Sequence, residues 1–416
     1  MFNITKLEEI VNDQRDNFQK KDSGIERLIN FDKYIKTKQI VILSGVRRSG
    51  KSTLLKQFSE KLNGDFYYIN FDDERLIDFS VSDFDRLLTV WKKSHQSKNI
   101  LIDEIQNIEK WERFIRRIYE EGYKIFITGS NAKLLSSELS THLTGRYFKI
   151  EVYPFSFKEY LIFNNIEFEK VSSSNRIKVM KAFDNYLVSG GFPDFIRYKD
   201  EEFLKRTYED IIYKDIITRF GVKEVVAFRK VSSFVFSNFT KRISYKKIAE
   251  NLEIKSPISV RDYIGFLQES YLVFELFRYD HSLKKQFVSD KKIYVIDNGM
   301  RNIVSFHFSE EKGRLLENLI YIELKRRGHN IFFDKGKNEC DFLIEEKGKI
   351  IEAIQVCYFL NEENKEREMT GLIESLKKNN LKKGTIVTYA DEEEINYDDF
   401  TINIVPVVNF LTTKIL

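Results

Sequence analysis

Apolar and polar positions along the first third of the chain follow a strand-then-helix pattern. Three short runs rich in β-branched residues, 40–43, 100–102 and 125–128, each end at polar or glycine residues. The first run is followed after a short loop by the helical spacing of residues 52–62. Because buried strands that alternate with helices are typical of a parallel sheet, this region is predicted to be an α/β domain.

Length and composition are those expected of a soluble protein with several domains. A chain of 416 residues is too long for one ordinary core, so about two to four domains are expected. The net charge of +4 is only mildly basic, so any surface for nucleic acid must be local. Two cysteines and no signal sequence indicate a reducing, cytoplasmic location. No apolar run reaches the ~18 residues of a membrane helix, and none is expected.

Residues 45–52, GVRRSGKS, fit the phosphate-loop pattern G-x-x-x-x-G-K-[ST] between a predicted strand and a predicted helix. The glycines allow backbone N–H groups to turn toward phosphate oxygens, and the start of the helix adds its positive dipole end. Lys51 can reach the β- and γ-phosphates, and the hydroxyl of Ser52 can ligate Mg²⁺. The residues predicted to bind ATP here are Gly45, Val46, Arg47, Arg48, Ser49, Gly50, Lys51, Ser52 and Thr53.

Polar residues at the ends of the next two predicted strands supply further candidates. Asp103 is predicted to hold the Mg²⁺ shell, and Glu104 is predicted to orient and deprotonate the attacking water. After the third run, Thr128, Ser130 and Asn131 either contact the γ-phosphate or the water, or cap the next helix.

Arg146 lies too far along the chain to belong to its own phosphate loop. A guanidinium at this point suits the γ-phosphate of a neighbouring subunit in a homo-oligomer, as an arginine finger; the alternative is a surface arginine. Arg146 is therefore predicted to be catalytic together with Lys51 and Glu104.

The phosphate loop, LIDEI, ITGSN and LTGR, in this order, resemble the ATPase core of the AAA superfamily. More narrowly, they resemble a prokaryotic group of AAA ATPases that carries an uncharacterised C-terminal domain. The resemblance implies ATP hydrolysis with Mg²⁺, a core at residues 1–155 and a helical lid at 156–229. In that lineage a Gly-x-Pro of the lid lies beside the adenine, which implicates Pro193 in the segment GFP; a helix-stop turn is the alternative.

Residues 230–300 have the pattern of two helices followed by strands, as in a winged helix. The second helix is predicted to turn Val260 and Ile264 inward and to leave Arg261 and Tyr263 more exposed. Runs 272–277 and 292–296 are the predicted strands of the wing, and residues 281–285 are its predicted tip.

Positive charge is concentrated in this module. Residues 241–292 hold 11 Lys and Arg against 7 Asp and Glu, an excess as large as that of the whole chain. A winged helix places its second helix in the major groove and its wing on phosphates, or it docks a protein. DNA is the favoured partner, and the candidate contacts are Lys246, Lys247, Arg261, Lys284 and Lys285.

The pattern of the last part of the chain, residues 301–416, predicts a helix with Glu317, a strand with Asp341, and a second strand with Gln355 and Cys357. In this order these elements resemble the PD-(D/E)xK nuclease fold, which has Glu-x-Lys where Gln355 and Cys357 stand. Residues two apart on a strand share a face, so both replacements fall on the site. Gln is a neutral ligand and Cys offers no ammonium, so the site is predicted to be degenerate. A weak, rearranged nuclease and an unrelated hairpin are the alternatives.

Together these patterns predict a cytoplasmic, DNA-binding AAA-type ATPase that acts on DNA structure as an oligomer with shared ATPase sites. The fold class is α/β: a parallel-sheet core, a helical lid, a winged helix and a nuclease-like α/β domain. Two alternatives remain, a nucleotide-dependent signalling switch with a protein partner and an ATP-gated nuclease.

Overall fold

The computed structural model describes residues 2–130, 143, 145–169, 172–305 and 311–413. The chain forms two compact units. The first comprises Met1–Tyr153 with Glu269–Tyr271, and the second comprises Pro154–Gln268 with Leu272–Leu416. The four domains predicted from the sequence remain a prediction.

The first unit is built on five parallel strands in the order β2-β3-β4-β1-β5. The predicted α/β class and its parallel sheet are confirmed. The strands are β1 Ile40–Ser44, β2 Phe66–Asn70, β3 Asn99–Asp103, β4 Lys124–Gly129 and β5 Tyr147–Glu151. The helices are α1 Ile4–Lys20, α2 Phe31–Ile35, α3 Lys51–Lys61, α4 Phe84–Ser94 and α5 Trp111–Glu120, with single 3₁₀ turns at Glu74–Leu76, Val81–Asp83 and Ile105–Asn107.

Both faces of this sheet are covered by helices. Alternate residues of β1 pack on opposite sides, so Ile40 and Ile42 lie in one hydrophobic cluster and Val41 and Leu43 in the other. Every residue of β1 is buried. A parallel strand that is buried on both faces reads as a continuous apolar run, which is why the sequence pattern located β1, β3 and β4 but not β2 and β5.

The second unit begins with helices and continues into two sheets. Its helices are α6 Phe157–Phe163, α7 Ser173–Ser189, α8 Pro193–Tyr198, α9 Glu201–Asp210 with a π-helical extension Ile211–Thr218, α10 Val225–Ser237, α11 Tyr245–Asn251, α12 Pro257–Glu269, α13 Leu283–Val288, α14 Asn298–Val304, α15 Lys312–Arg326, α16 Glu362–Lys378 and α17 Val407–Thr412. Within the described residues, no helix is both long and apolar enough to cross a membrane.

A small sheet accompanies the helix pair α11 and α12, with one strand before the pair and two after it. Its strands are β6 Arg242–Ile243, β7 Val273–Phe277 and β8 Lys291–Val295, and β8 lies between the other two in antiparallel pairing. The predicted tip, residues 281–285, lies between β7 and β8 and overlaps the short helix α13. The predicted exposure of Tyr263 was wrong, because its ring packs edge-on against Phe228 of α10 and the residue is buried.

The C-terminal part of the second unit is a six-stranded mixed sheet in the order β13-β14-β12-β11-β10-β9. The hairpin predicted near Asp341 is present, formed by the antiparallel pair β10 and β11. The strands are β9 Asn330–Lys335, β10 Glu339–Glu346, β11 Lys349–Val356, β12 Lys383–Thr388, β13 Glu393–Tyr397 and β14 Phe400–Pro406.

Candidate nucleotide site

The predicted phosphate loop connects the end of β1 to the start of α3. Gly50 precedes the helix with φ 95°, in the left-handed region that favours glycine. Gly45 is required by a close approach, because a Cβ atom there would lie 2.2 Å from the carbonyl oxygen of Val152. The backbone N–H of Val152 also donates to the carbonyl of Ser44 at 2.6 Å. The loop is therefore held tightly against the chain that leaves β5.

Two side-chain donors of this loop, those of Lys51 and Ser49, suit a bound anion. The Lys51 side chain is buried, and its Nζ donates to the carbonyl oxygens of Gly45 and Val46 at 3.1 and 3.0 Å, across its own loop. The Ser49 hydroxyl is buried with no hydrogen-bond partner among the described residues. A buried unpaired hydroxyl is unfavourable, so the loop fits a phosphate. Of the other loop residues, Val46 is buried, Arg47, Ser52 and Thr53 are half-buried, and Arg48 is exposed.

Asp103 and Glu104 lie at the carboxyl end of β3, beside the end of β4. The Thr128 hydroxyl donates to the Asp103 carboxylate and accepts the backbone N–H of Glu104 at 2.9 Å. The Gln106 amide donates to the Glu104 carboxylate, and it lies 3.5 Å from the Ser130 hydroxyl. Thr128 thus fixes the two acids relative to each other, and Ser130 lies close to the Glu104 side of the site. Asn131 lies outside the described residues.

The electrostatics of this pair suit a divalent cation. Burial raises the pKa of the Asp103 carboxyl, the neighbouring Glu104 raises it further, and hydrogen bonds from Thr128 and Ser52 oppose the shift. Adjacent acids of this kind repel each other unless a cation is present. Oxygen ligands from a carboxylate and a hydroxyl are those that Mg²⁺ prefers, so Asp103 and Ser52 fit the ion.

Arg27 is a part of this site that the sequence patterns did not indicate. Its guanidinium is buried, and it donates to the carbonyl oxygens of Ser49 at 2.9 Å and Tyr153 at 2.8 Å. The residue therefore ties the phosphate loop to the end of the first unit. It lies in a loop with no periodic pattern, so only the fold could reveal this role.

Sequence analysis did not indicate Tyr271 either, because this residue belongs to no motif. It belongs to the first unit, and its hydroxyl donates to the Ser44 hydroxyl at 2.9 Å, directly before the phosphate loop. The ring lies 5.6 Å from the Lys149 ammonium, and the backbone has φ 59°, which is uncommon for a bulky residue. A backbone conformation of this kind is kept only where surrounding contacts enforce it.

Arg146 lies at the opposite end of the strands from the phosphate loop. Its carbonyl accepts the backbone N–H of Ile40, the first residue of β1, at 2.8 Å. Its guanidinium is 3.7 Å from the Glu120 carboxylate. Within its own subunit Arg146 is therefore apart from Lys51 and Glu104, and its action on a neighbouring subunit stays a prediction.

Comparison with known proteins agrees with this architecture. Residues 37–161 match the family model of an AAA domain, and residues 180–311 match a domain of unknown function, DUF8612. MJ1544, an uncharacterized protein of Methanocaldococcus jannaschii, is 40% identical over 404 residues, which cover 91% of this chain and 90% of the relative. The chain belongs to the same AAA-domain family as MJ1544. An uncharacterized protein of Haemophilus influenzae is 32% identical over 94% of this chain and 98% of its own length.

Solved structures with lower similarity include the RuvB Holliday junction branch migration motor of Thermotoga maritima. It has 16% identity and a TM-score of 0.30 and covers 66% of this chain and 93% of that chain. AMPPCP-bound DnaA from Aquifex aeolicus has 13% identity and a TM-score of 0.26, over 57% of this chain and 84% of that chain. The AAA assignment rests on the family model and the parallel sheet, because TM-scores this low reflect only a loose similarity.

The Gly-x-Pro segment, residues 191–193, lies in the second unit, and local contacts explain its glycine and its proline. Gly190 ends α7 with φ 71°, and Pro193 occupies the first position of α8. The Gly191 N–H donates to the Asp297 carboxylate at 2.7 Å, and a Cβ there would lie 2.2 Å from the Phe155 carbonyl oxygen. The helix-stop alternative thus describes the local structure, and the contact of Pro193 with adenine stays a prediction.

The residues predicted to contact DNA are all on the surface of the second unit: Lys246, Lys247, Arg261, Lys284 and Lys285. Lys284 and Lys285 lie on α13, whose apolar residues Leu283, Phe287 and Val288 are exposed as well. Arg261 is paired with the neighbouring Asp262 at 2.9 Å. A role of this surface in binding DNA stays a prediction.

Gln355, near the end of β11, and Cys357, directly after it, both contact other residues of the protein. The Gln355 amide oxygen accepts the backbone N–H of Asp341 at 3.1 Å, and its nitrogen donates to the buried Glu368 at 2.6 Å. Cys357 lies in the hydrophobic core, where burial raises its pKa to about 11. Glu317 and Asp341 both lie against Lys292, which sequence analysis had counted among the basic residues of the predicted DNA-binding module and which is buried.

Proposed function

We propose that this protein hydrolyses ATP at the phosphate loop and acts on DNA as a homo-oligomer. The observation that carries the first part is the geometry around the loop. The loop holds a buried lysine and a buried serine hydroxyl that has no partner among the described residues, and two acids stand at the neighbouring strand end. These are the groups that phosphoryl transfer to water requires.

Each group has a separate role in the proposed reaction. Lys51 and the loop N–H groups bind the phosphates, which Lys51 can do once it exchanges its contacts with the Gly45 and Val46 carbonyls for phosphate oxygens. Glu104 orients the attacking water and accepts its proton, and Gln106 holds the Glu104 carboxylate in place. Mg²⁺, held by Ser52 and Asp103, would neutralise phosphate charge. Arg146 would complete the site of a neighbouring subunit.

The DNA part of the proposal rests on the exposed basic residues of α11, α12 and α13 and on the arrangement of the helix pair with its small sheet. A short strand, two helices and two further strands, with the three strands paired in one antiparallel sheet, are the elements of a winged helix. Exposed lysines on α11 and α13 suit phosphate contacts, which position a protein on DNA without reading its sequence.

The ATPase rate with and without DNA tests both parts. Turnover should require Lys51, and Glu104→Gln should bind ATP yet lose about 10²-fold or more in rate, because it removes only the group that acts on the water. Glu109→Gln is the matched control, since Glu109 is an exposed acid in the loop that follows the same strand.

Single-stranded, duplex and branched DNA should each be added in turn. Stimulation by at least one of them is the expected result. Slow turnover that ignores every DNA form would instead favour a nucleotide-dependent switch with a protein partner, and near-normal turnover by Glu104→Gln would refute the role of that residue.

A further inference from the structure

A buried ammonium lies among three carboxylates in the second unit. Lys292 Nζ is 2.6 Å from the Glu317 carboxylate, 2.9 Å from that of Glu339 and 3.0 Å from that of Asp341. Only 3% of the Lys292 side chain is exposed. Burial alone would lower the pKa of Lys292, but Asp341 and Glu317 raise it well above its ordinary value, so the group is charged.

Three different elements supply this cluster. Lys292 lies on β8, the central strand of the small sheet, and Glu317 lies on α15. Glu339 and Asp341 lie two residues apart on β10, so their side chains share one face of that strand. The ammonium therefore joins the small sheet to both the helix and the hairpin of the C-terminal part.

The carboxylate oxygens of the cluster also have other donors from the protein. Glu317 accepts the hydroxyl of Tyr294 at 2.7 Å, and Asp341 accepts the backbone N–H of Val356 at 3.1 Å. Glu339 faces the guanidinium of Arg242 at 3.5 Å. Among the residues that the structure describes, no group of three or more acid, His or Cys side chains is arranged to hold a metal ion. The acids are organised around the lysine.

We propose that the Lys292 ammonium is the built-in cation of this carboxylate cluster and keeps it closed to divalent metal ions. A metal ion that used these oxygens would need the point that Nζ occupies, because Mg²⁺ and Ca²⁺ bind oxygen at about 2.0–2.6 Å. The lysine would then be left buried without partners, which is strongly unfavourable.

The charges of the cluster support the same conclusion. Burial and the neighbouring Glu317 and Glu339 raise the pKa of Asp341 to about 7, although Lys292 opposes the shift. The direction of this shift shows that the three acids repel one another, so the ammonium among them is needed to hold them together.

Terbium luminescence tests the proposal on the full-length protein without nucleotide, with Tb³⁺ alone as the probe. Lys292→Met removes the ammonium and keeps most of the side-chain volume. We expect this variant to bind one more Tb³⁺ per chain than the wild type, with luminescence sensitised by Tyr294, which contacts Glu317. The additional site should disappear in Lys292→Met/Asp341→Asn. A folded Lys292→Met with no added site would overturn the proposal.

A second measurement does not depend on the folding of the lysine variant. Tb³⁺ titrations of the wild type and of Asp341→Asn should have the same stoichiometry, because the cluster is closed in both. Loss of a wild-type Tb³⁺ site in Asp341→Asn would show that the cluster is open to metal and would refute the proposal. Thermal melts of each variant establish that it is folded.

Discussion

Gly45→Ala should disable the phosphate loop while leaving the protein folded. The added Cβ would lie 2.2 Å from the Val152 carbonyl oxygen and 3.0 Å from its carbon. Because ordinary contacts between such atoms are about 3.5 Å, the loop must move by about 1 Å. Val152 cannot easily move instead, since its N–H donates to Ser44 at 2.6 Å.

The displacement has two consequences of different size. Overpacking of this kind costs about 1–3 kcal/mol of stability, which a domain of about 5–15 kcal/mol can tolerate. A shift of about 1 Å in a binding loop can cost about 10²-fold in rate. The expected result is therefore a large loss of ATP binding and turnover with a modest fall in melting temperature.

A fluorescent ATP analogue and a thermal melt measure the two effects on one sample. Gly313→Ala is the control, because no atom lies within 4 Å of the added Cβ there. It should bind the analogue like the wild type. Unchanged nucleotide affinity in a folded Gly45→Ala would refute the close approach of the loop to Val152.

The remaining predictions concern assembly and DNA. Arg146→Ala should keep its affinity for ATP but lose ATPase activity. Mixing it with Glu104→Gln should restore part of the rate, because mixed interfaces can join an intact arginine to an intact glutamate. A fully active monomer in ultracentrifugation with ATP and DNA would exclude the role of Arg146 in a neighbouring subunit. Lys284→Ala/Lys285→Ala should weaken binding to all DNA sequences about equally and reduce the salt slope by up to about two units. The exposed pair Lys92 and Lys93 on α4 provides the charge-matched control, and unchanged DNA affinity in the Lys284/Lys285 variant would favour protein docking.

The core of the first unit could be predicted because the sequence patterns that specify it span only a few neighbouring residues. The strands β1, β3 and β4 are short apolar runs, and the phosphate-loop spacing fixes where β1 ends and α3 begins. The acids at the end of β3 follow from the same pattern, since parallel strands bring their carboxyl ends to one edge. Asp103 and Thr128 meet there for that reason.

The residues that were missed act through contacts that are distant in sequence. Arg27 reaches the carbonyl of Ser49 from an irregular loop, and Tyr271 reaches Ser44 across more than two hundred residues. Neither side chain belongs to a motif. The helix α13 was missed for a different reason: its six residues are too few for a helical period to be distinguished from an extended turn.

The lysine at β8 shows why a motif alone was insufficient at the C-terminal site. The nuclease motif has a lysine at the position of Cys357, and a cysteine offers no ammonium. Burying a carboxylate without a partner is costly, however, so the buried acids must be compensated by a positive charge from elsewhere in the chain. Asp341 is buried, and Glu339 on the same face of β10 is only partly exposed, so a cation was required, and Lys292 supplies it from another strand. Which of 68 Lys and Arg residues would do so depends on tertiary packing. A lysine held by three acids occupies the centre of this cluster, so the phosphate loop is where we propose that the chain performs its chemistry.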